Sequence, residues 1–242
     1  MNVPESRAKE VERLVKELGD EAPGVRSRAA MALGGIGDAR AVEPLAAMVS
    51  DTDLKVAERA AEALAALGHP EYMTSPVLTS AKRQDVINKY EQGERWFGER
   101  NLAGVDLSNL GLAGSVFRES DLSGAALRNT ALGAAKLDKA NLAGADLNHA
   151  TLQMAKLQGT HLAGADLSWT TITTADLEGA DLSNANLTSA SLFRSNLKGA
   201  NLTGANVTLV DFGEAILPDG TKYRRGMDLS RYGTVGNPQT SL

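Results

Sequence analysis

The chain has 242 residues, with 25 basic and 30 acidic side chains, 43% hydrophobic residues and no cysteine. A net charge of −5 leaves no basic footprint for nucleic acid, and the absence of cysteine removes disulfides, thiolate metal sites and Cys nucleophiles together. No apolar run reaches the ~18–20 residues that span a bilayer, and the polar start from Met1 to Glu10 has no leader pattern, so a cytoplasmic protein is expected.

Residues 5–68 contain a duplicated unit. Val25-x-x-Arg28-Ala29-Ala30-x-Ala32-Leu33 returns as Val56-x-x-Arg59-Ala60-Ala61-x-Ala63-Leu64, shifted by 31 residues, and Asp20 returns as Asp51. Apolar residues spaced by three and four predict helices near 5–18, 24–36, 39–49 and 54–67. Gly19, Pro23-Gly24, Gly37-Asp38 and Gly68-His69-Pro70 punctuate them. Asp51-x-Asp53 lacks the following glycine and distant glutamate of a calcium loop, and reads as a helix N-cap before Leu54. This pattern resembles short HEAT repeats of the phycobilisome-lyase type. Two copies imply a four-helix stub, and short α-solenoids present grooved surfaces that bind proteins. The chromophore handling of the lyases requires far more chain and does not carry over.

Residues 69–78 read as a linker, with prolines at 70 and 76. A helix is expected from Thr79 or Ser80 to Gln92, with Val86, Ile87 and Tyr90 on one face and Gly93 ending it. Trp96 and Phe97 follow, placed to plug the open end of the next element.

From Asn101 to Leu217 a large apolar residue recurs at every fifth position, from Leu102 through Phe117, Leu147, Ile172 and Val207 to Leu217, giving 24 repeats. A small residue such as Ala125, Ala145 or Ala165 sits two positions before most of these centres. Neither a helix (period 3.6) nor a strand (period 2) gives this spacing, whereas a solenoid does. Units such as Ala165-Asp166-Leu167-Ser168-Trp169 and Ala200-Asn201-Leu202-Thr203-Gly204 resemble the pentapeptide-repeat family. The resemblance implies a right-handed quadrilateral parallel β-helix, four pentapeptides to the coil and about six coils, roughly 29 Å long at ~4.8 Å per coil. The fold class expected is therefore α plus β-solenoid. It divides as 1–70 HEAT-like repeats, 71–98 linker and capping helix, 99–219 β-helix, and 220–242 C-terminal cap and flexible tail. Leu217-Pro218-Asp219-Gly220-Thr221 stops the rod with turn residues, and the tail is expected to fold back as far as Tyr232 and then fray.

Chemistry-bearing constellations are scarce. His161 lies 20 residues before Asp181, with Ser183 nearby, but the column Asn101, Asp121, Asn141, His161, Asp181, Asn201 reads as an ordinary polar ladder. No phosphate loop, nucleophile elbow or metal-ligand cluster is present in the sequence, so no catalytic residue, cofactor or metal is expected and the chain does not read as an enzyme. The informative outward positions are those that break the small-and-polar rule: His149, Met154, Trp169, Phe193, Arg194 and Leu209. At four repeats per coil they gather on two neighbouring faces, and exposed aromatics with Arg on a small-residue surface mark a protein-contact site.

The reading that follows is a non-catalytic adaptor or scaffold, presenting two rigid repeat surfaces to another protein. The resemblance implies assembly or regulation in a photosynthetic bacterium. No direct nucleic-acid or membrane binding is expected, and a homodimer is compatible with the open rod ends. The alternative is a DNA-mimicking gyrase or topoisomerase binder of the Qnr/MfpA type. Duplex DNA carries about one charge per 1.7 Å, or roughly 17 over the rod's length. Residues 101–217 hold 7 basic and 11 acidic groups, a net of only −4.

Overall fold

A computed structural model of the protein describes residues 3–236, which divide into two compact units, Met1–Gln84 and Asp85–Leu242. The first is helical. It contains α1 (Val3–Glu17), α2 (Pro23–Ile36), α3 (Val42–Met48) and α4 (Leu54–Ala66), and the unit boundary falls within α5 (Pro76–Glu91). The apolar stripes read from the sequence form its core, with Val11, Leu14, Leu33, Leu45, Leu64 and Leu78 buried. α2 and α4 cross at Gly34, where a Cβ would stand 2.8 Å from both Cα and Cβ of Ala63. A bidentate pair closes the unit: Arg26 Nε and Nη2 donate to Asp51 Oδ2 and Oδ1 at 2.7 and 2.8 Å. The position equivalent to Arg26 in the second copy, 31 residues on, is Ala57, so this pair links the first copy to the second and has no counterpart beyond it.

Two helix starts differ from expectation, each because of a cap. The helix expected from 39 opens as a 3₁₀ turn, Ala39–Ala41, because Asp38 Oδ1 accepts the Arg40 amide. The helix expected from Thr79 or Ser80 starts at Pro76. Ser75 precedes it, its Oγ accepting the Leu78 amide and its carbonyl the Thr79 amide. Pro76 is therefore a first-turn helix residue, a position that has no use for the missing N–H.

The second unit contains the rod. Parallel bridges join residues 20 apart, from Trp96↔Val116 to Asn196↔Ile216, so four pentapeptides make one turn of the β-helix. The extended backbone in each pentapeptide is so short that the described residues of the rod form single-residue bridges rather than longer strands. The hydrogen bonds explain why. In the repeat centred on Leu122, the Leu122 amide donates to the Asn141 carbonyl and the Gly124 amide to the Ala143 carbonyl, both in the next coil. The Asp121 amide donates to the Arg100 carbonyl in the previous coil, and the Ala125 amide closes a turn onto the Leu122 carbonyl. The Ser123 amide remains, and Asp121 Oδ1 accepts it at 3.0 Å. Asp or Asn before the centre thus completes the backbone account with an Asx turn. The same bond recurs at Asp146, Asp166, Asp181 and Asn201.

Each turn places the second residue after the centre in the left-handed region. All twenty-three such positions from Gly104 to Glu214 have φ between 55° and 73°, and fourteen of them carry side chains. The centres face inward at 1% exposure or less, with the preceding small residues beside them. Where the small residue is polar its hydroxyl is usually satisfied internally: Thr130 and Thr160 donate to the carbonyls of Leu107 and Leu137, both at 2.9 Å. Ser115 Oγ is buried with no partner among the described residues.

The rod begins one repeat earlier than the leucine series. Phe97 is fully buried in register with the centres and stacks on Phe117, centroids 5.3 Å apart. Trp96, expected to plug the end with it, instead lies outside, 57% exposed, because it occupies the outward bridging position. Val86 covers the first coil, joined by Tyr90, whose hydroxyl donates to the Ala113 carbonyl at 3.0 Å. At the far end Tyr223 packs on Phe212, and Leu229 is buried. Val235 then pairs with Asn206 in place of a further coil. The tail is thus ordered past Tyr232, and the fraying expected beyond it falls partly on residues 237–242, outside the described residues.

Candidate interaction surface

The outward left-handed positions stack into columns, one residue per coil. One column runs Asn109, Asn129, His149, Trp169, Ser189, Leu209. Asn129 Nδ2 donates to Asn109 Oδ1 at 3.1 Å, and the His149 ring lies on the Trp169 indole, centroids 5.9 Å apart and planes 16° off parallel. Trp169 is 57% exposed and Leu209 50%. Ser189 separates them, so they stand two coils, roughly 10 Å, apart.

The adjoining column runs Gly114, Ala134, Met154, Thr174, Arg194, Glu214. Met154 is 64% exposed. Arg194 Nε donates to Glu214 Oε2 at 2.8 Å, which holds the Glu214 carboxyl below its ordinary range, with Lys222 adding to the effect. Arg194 also lies over the Phe193 ring, 4.9 Å from its centroid.

Of the six residues singled out in the sequence, His149 and Trp169 are brought into contact, as are Phe193 and Arg194. Met154 and Leu209 stand as separate apolar projections. Phe193 is not a free ring. It is half-buried, leaning across Gly213, where a Cβ would stand 2.7 Å from Phe193 Cδ2. Trp96 is an exposed aromatic that the plug reading hid.

The His161–Asp181 pair does not assemble a triad. Asp181 Oδ1 accepts the Ser183 amide and Asn201 Nδ2, both at 3.0 Å, so the carboxylate serves its own turn and the ladder. Burial alone would raise the Asp181 pKa, but the hydrogen bonds from Ser183 and Asn201 outweigh it and leave the group below its ordinary value. Acids elsewhere on the rod are similarly engaged: Asp138 pairs with Arg118, Asp146 with Arg128, and Asp166 and Asp176 accept from Asn186 and Asn196. Among the described residues no group of three His, Cys, Asp or Glu is placed to hold a metal. Among the described residues no helix is long and apolar enough to cross a membrane either.

Family models match both repeat regions: HEAT repeats over residues 11–86, and a model made of eight pentapeptide repeats that matches four times, over 101–133, 127–168, 155–188 and 173–208. Among solved structures, the pentapeptide repeat protein Rfr23 from the cyanobacterium Cyanothece 51142 is 25% identical, over 64% of this chain and 99% of its own, with a TM-score of 0.45. A pentapeptide repeat protein from the Arabidopsis thaliana thylakoid lumen is 34% identical over 46% and 67%, with a TM-score of 0.22. QnrB1, a plasmid-mediated fluoroquinolone resistance protein, is 17% identical over 60% and 82%, with a TM-score of 0.30. No curated protein matches the sequence. Pentapeptide repeat proteins are generally structural or binding proteins. The chain belongs to the pentapeptide-repeat proteins and carries HEAT repeats at its N-terminal end.

Proposed function

We propose that the protein is a non-catalytic adaptor, acting in the cytoplasm, whose rod and helical unit each present a surface to another protein. The observation that carries this reading is the projection of Trp169, Met154 and Leu209 from adjoining columns of an otherwise small and polar rod. A β-helix held by bonds between successive coils changes little in shape, so such side chains meet a partner with little reorganisation. The rod itself we take as right-handed and of about six coils, with the fold divided as the sequence suggests and a homodimer permitted by its ends.

Binding to gyrase in the manner of a DNA mimic is the weaker reading. It asks for a row of acids whose charge is not neutralised, whereas Asp138 and Asp146 are ion-paired with Arg118 and Arg128 and residues 101–217 carry a net of only −4.

The test is affinity capture of the tagged full chain from its own cells, in parallel with a Trp169→Ala/Leu209→Ala variant of unchanged circular dichroism. A defined partner recovered with the native chain and lost with the variant is the expected result. Equal recovery by both chains, or stoichiometric protection or inhibition of gyrase in a supercoiling assay, overturns the reading.

A further inference from the structure

Residues 23–31 of α2 and 53–59 at the start of α4 line a groove of about 340 Å³ on the helical unit, within the ~300–1,000 Å³ range of ligand sites. Its lining is unusual for its charge. Arg28 and Arg59 occupy the same position of the duplicated unit, 31 residues apart, so the duplication itself sets two guanidinium groups along one groove. Lys55 adds a third cation. The carboxylate in the lining, Asp53, is engaged in starting α4, with its Oδ1 accepting the amides of Lys55 and Val56 at 3.0 and 3.2 Å. Among the described residues neither Arg28 nor Lys55 has an ion-pair partner. Arg59 reaches Glu62 at 2.6 Å, an exposed pair on one helix face and therefore a weak competitor.

This concentration of positive charge is local. Residues 1–100 hold 17 acidic and 14 basic side chains, so the groove is not the sample of a basic surface. Met31 lies in the same lining, 52% exposed. Three cations around an exposed, adaptable apolar side chain complement an acidic chain that carries an apolar residue. A polyanionic backbone would leave Met31 unused.

We propose that this groove binds an acidic segment of a partner protein, its carboxylates on Arg28, Lys55 and Arg59 and an apolar side chain against Met31. The proposal rests on the adaptor reading for the helical unit but is independent of the rod surface.

Fluorescence anisotropy with the full chain tests it, using as probe a short labelled peptide in which glutamates flank a central leucine. Saturable binding is expected, weakened by salt and by about fivefold or more in Arg28→Ala and in Arg59→Ala. Replacing the leucine by glycine should weaken binding to the native chain and make no difference to Met31→Ala. The proposal is overturned by absence of saturable binding, by binding indifferent to both arginine substitutions, or by a single-stranded oligonucleotide that displaces the peptide at equal concentration. The Trp169→Ala/Leu209→Ala chain should bind the peptide normally, which separates failure of the groove from failure of the rod surface.

Discussion

His149 and Trp169, twenty residues apart in the chain, lie ring on ring in successive coils, with centroids 5.9 Å apart and planes 16° off parallel. Both hold φ of 60°, a region that favours glycine, so the turn geometry points both rings outward and the coil spacing brings them together.

Trp96 and Trp169 are the two tryptophans of the chain. In a Trp96→Phe background, His149→Ala is expected to change the emission of Trp169 and to cost about 0.5–1.5 kcal/mol, the usual value of an aromatic pair. Fluorescence and thermal melting check both parts. Unaltered emission would mean that the stack does not persist in solution.

Met154 also has φ of 60° and projects into solvent at 64% exposure. A left-handed conformation costs an L-residue about 1–2 kcal/mol, and glycine gives back about 0.4–1 kcal/mol through the unfolded chain. Met154→Gly is therefore expected to stabilise the rod by about 0.5–1 kcal/mol, read as a raised denaturation midpoint. Destabilisation would show that the methionine packs on the rod.

At the crossing of α2 and α4, Gly34 leaves no room for a side chain against the backbone of Ala63. Gly34→Val should force the two helices apart and destabilise the helical unit by about 1–3 kcal/mol. The effect should be confined to the helical circular-dichroism transition, with the Trp169 emission of the rod melting as before.

Acid should weaken the helical unit through Asp51. The Arg26 guanidinium holds its carboxyl below the usual 3.8 against the opposing effect of burial, and the Asp53 amide adds to the depression. The folded state then binds this proton more weakly than the unfolded state. The contribution is fully present above about pH 4 and is lost as pH falls through the depressed folded value. Asp51→Asn should lower the melting temperature of the helical unit by several degrees at neutral pH. The difference from the native chain should shrink below pH ~4. A constant difference between about pH 7 and 3 would rule out the linkage.

Much of the chain was legible because its determinants are local and repeated. The spacing of Leu102, Leu107 and Leu112 requires a five-residue unit, and the 31-residue shift from Arg28 to Arg59 requires a duplicated helix pair. The Asx turn at Asp121 was readable in principle, since Asp is known to hold the amide two residues on. The helix start at Pro76 lies inside the stretch that reads as a linker from its prolines; what makes Pro76 a first-turn residue is the cap from Ser75.

The surface was less legible. That Met154, Trp169 and Leu209 are projected from left-handed turns follows from bonds between coils, which hold the backbone there whatever the side chain, as fourteen non-glycine residues show. Phe193 leans over Gly213, Trp96 lies outside while Phe97 lies inside, and Val235 takes the place of a further coil on Asn206. The sequence by itself determined the two repeats, their registers and which residues face inward, because a periodic pattern states its own burial. Only the tertiary structure decided which outward side chains touch, which are covered and how the ends close, because those contacts join residues twenty or more positions apart and depend on where each coil sets its neighbour.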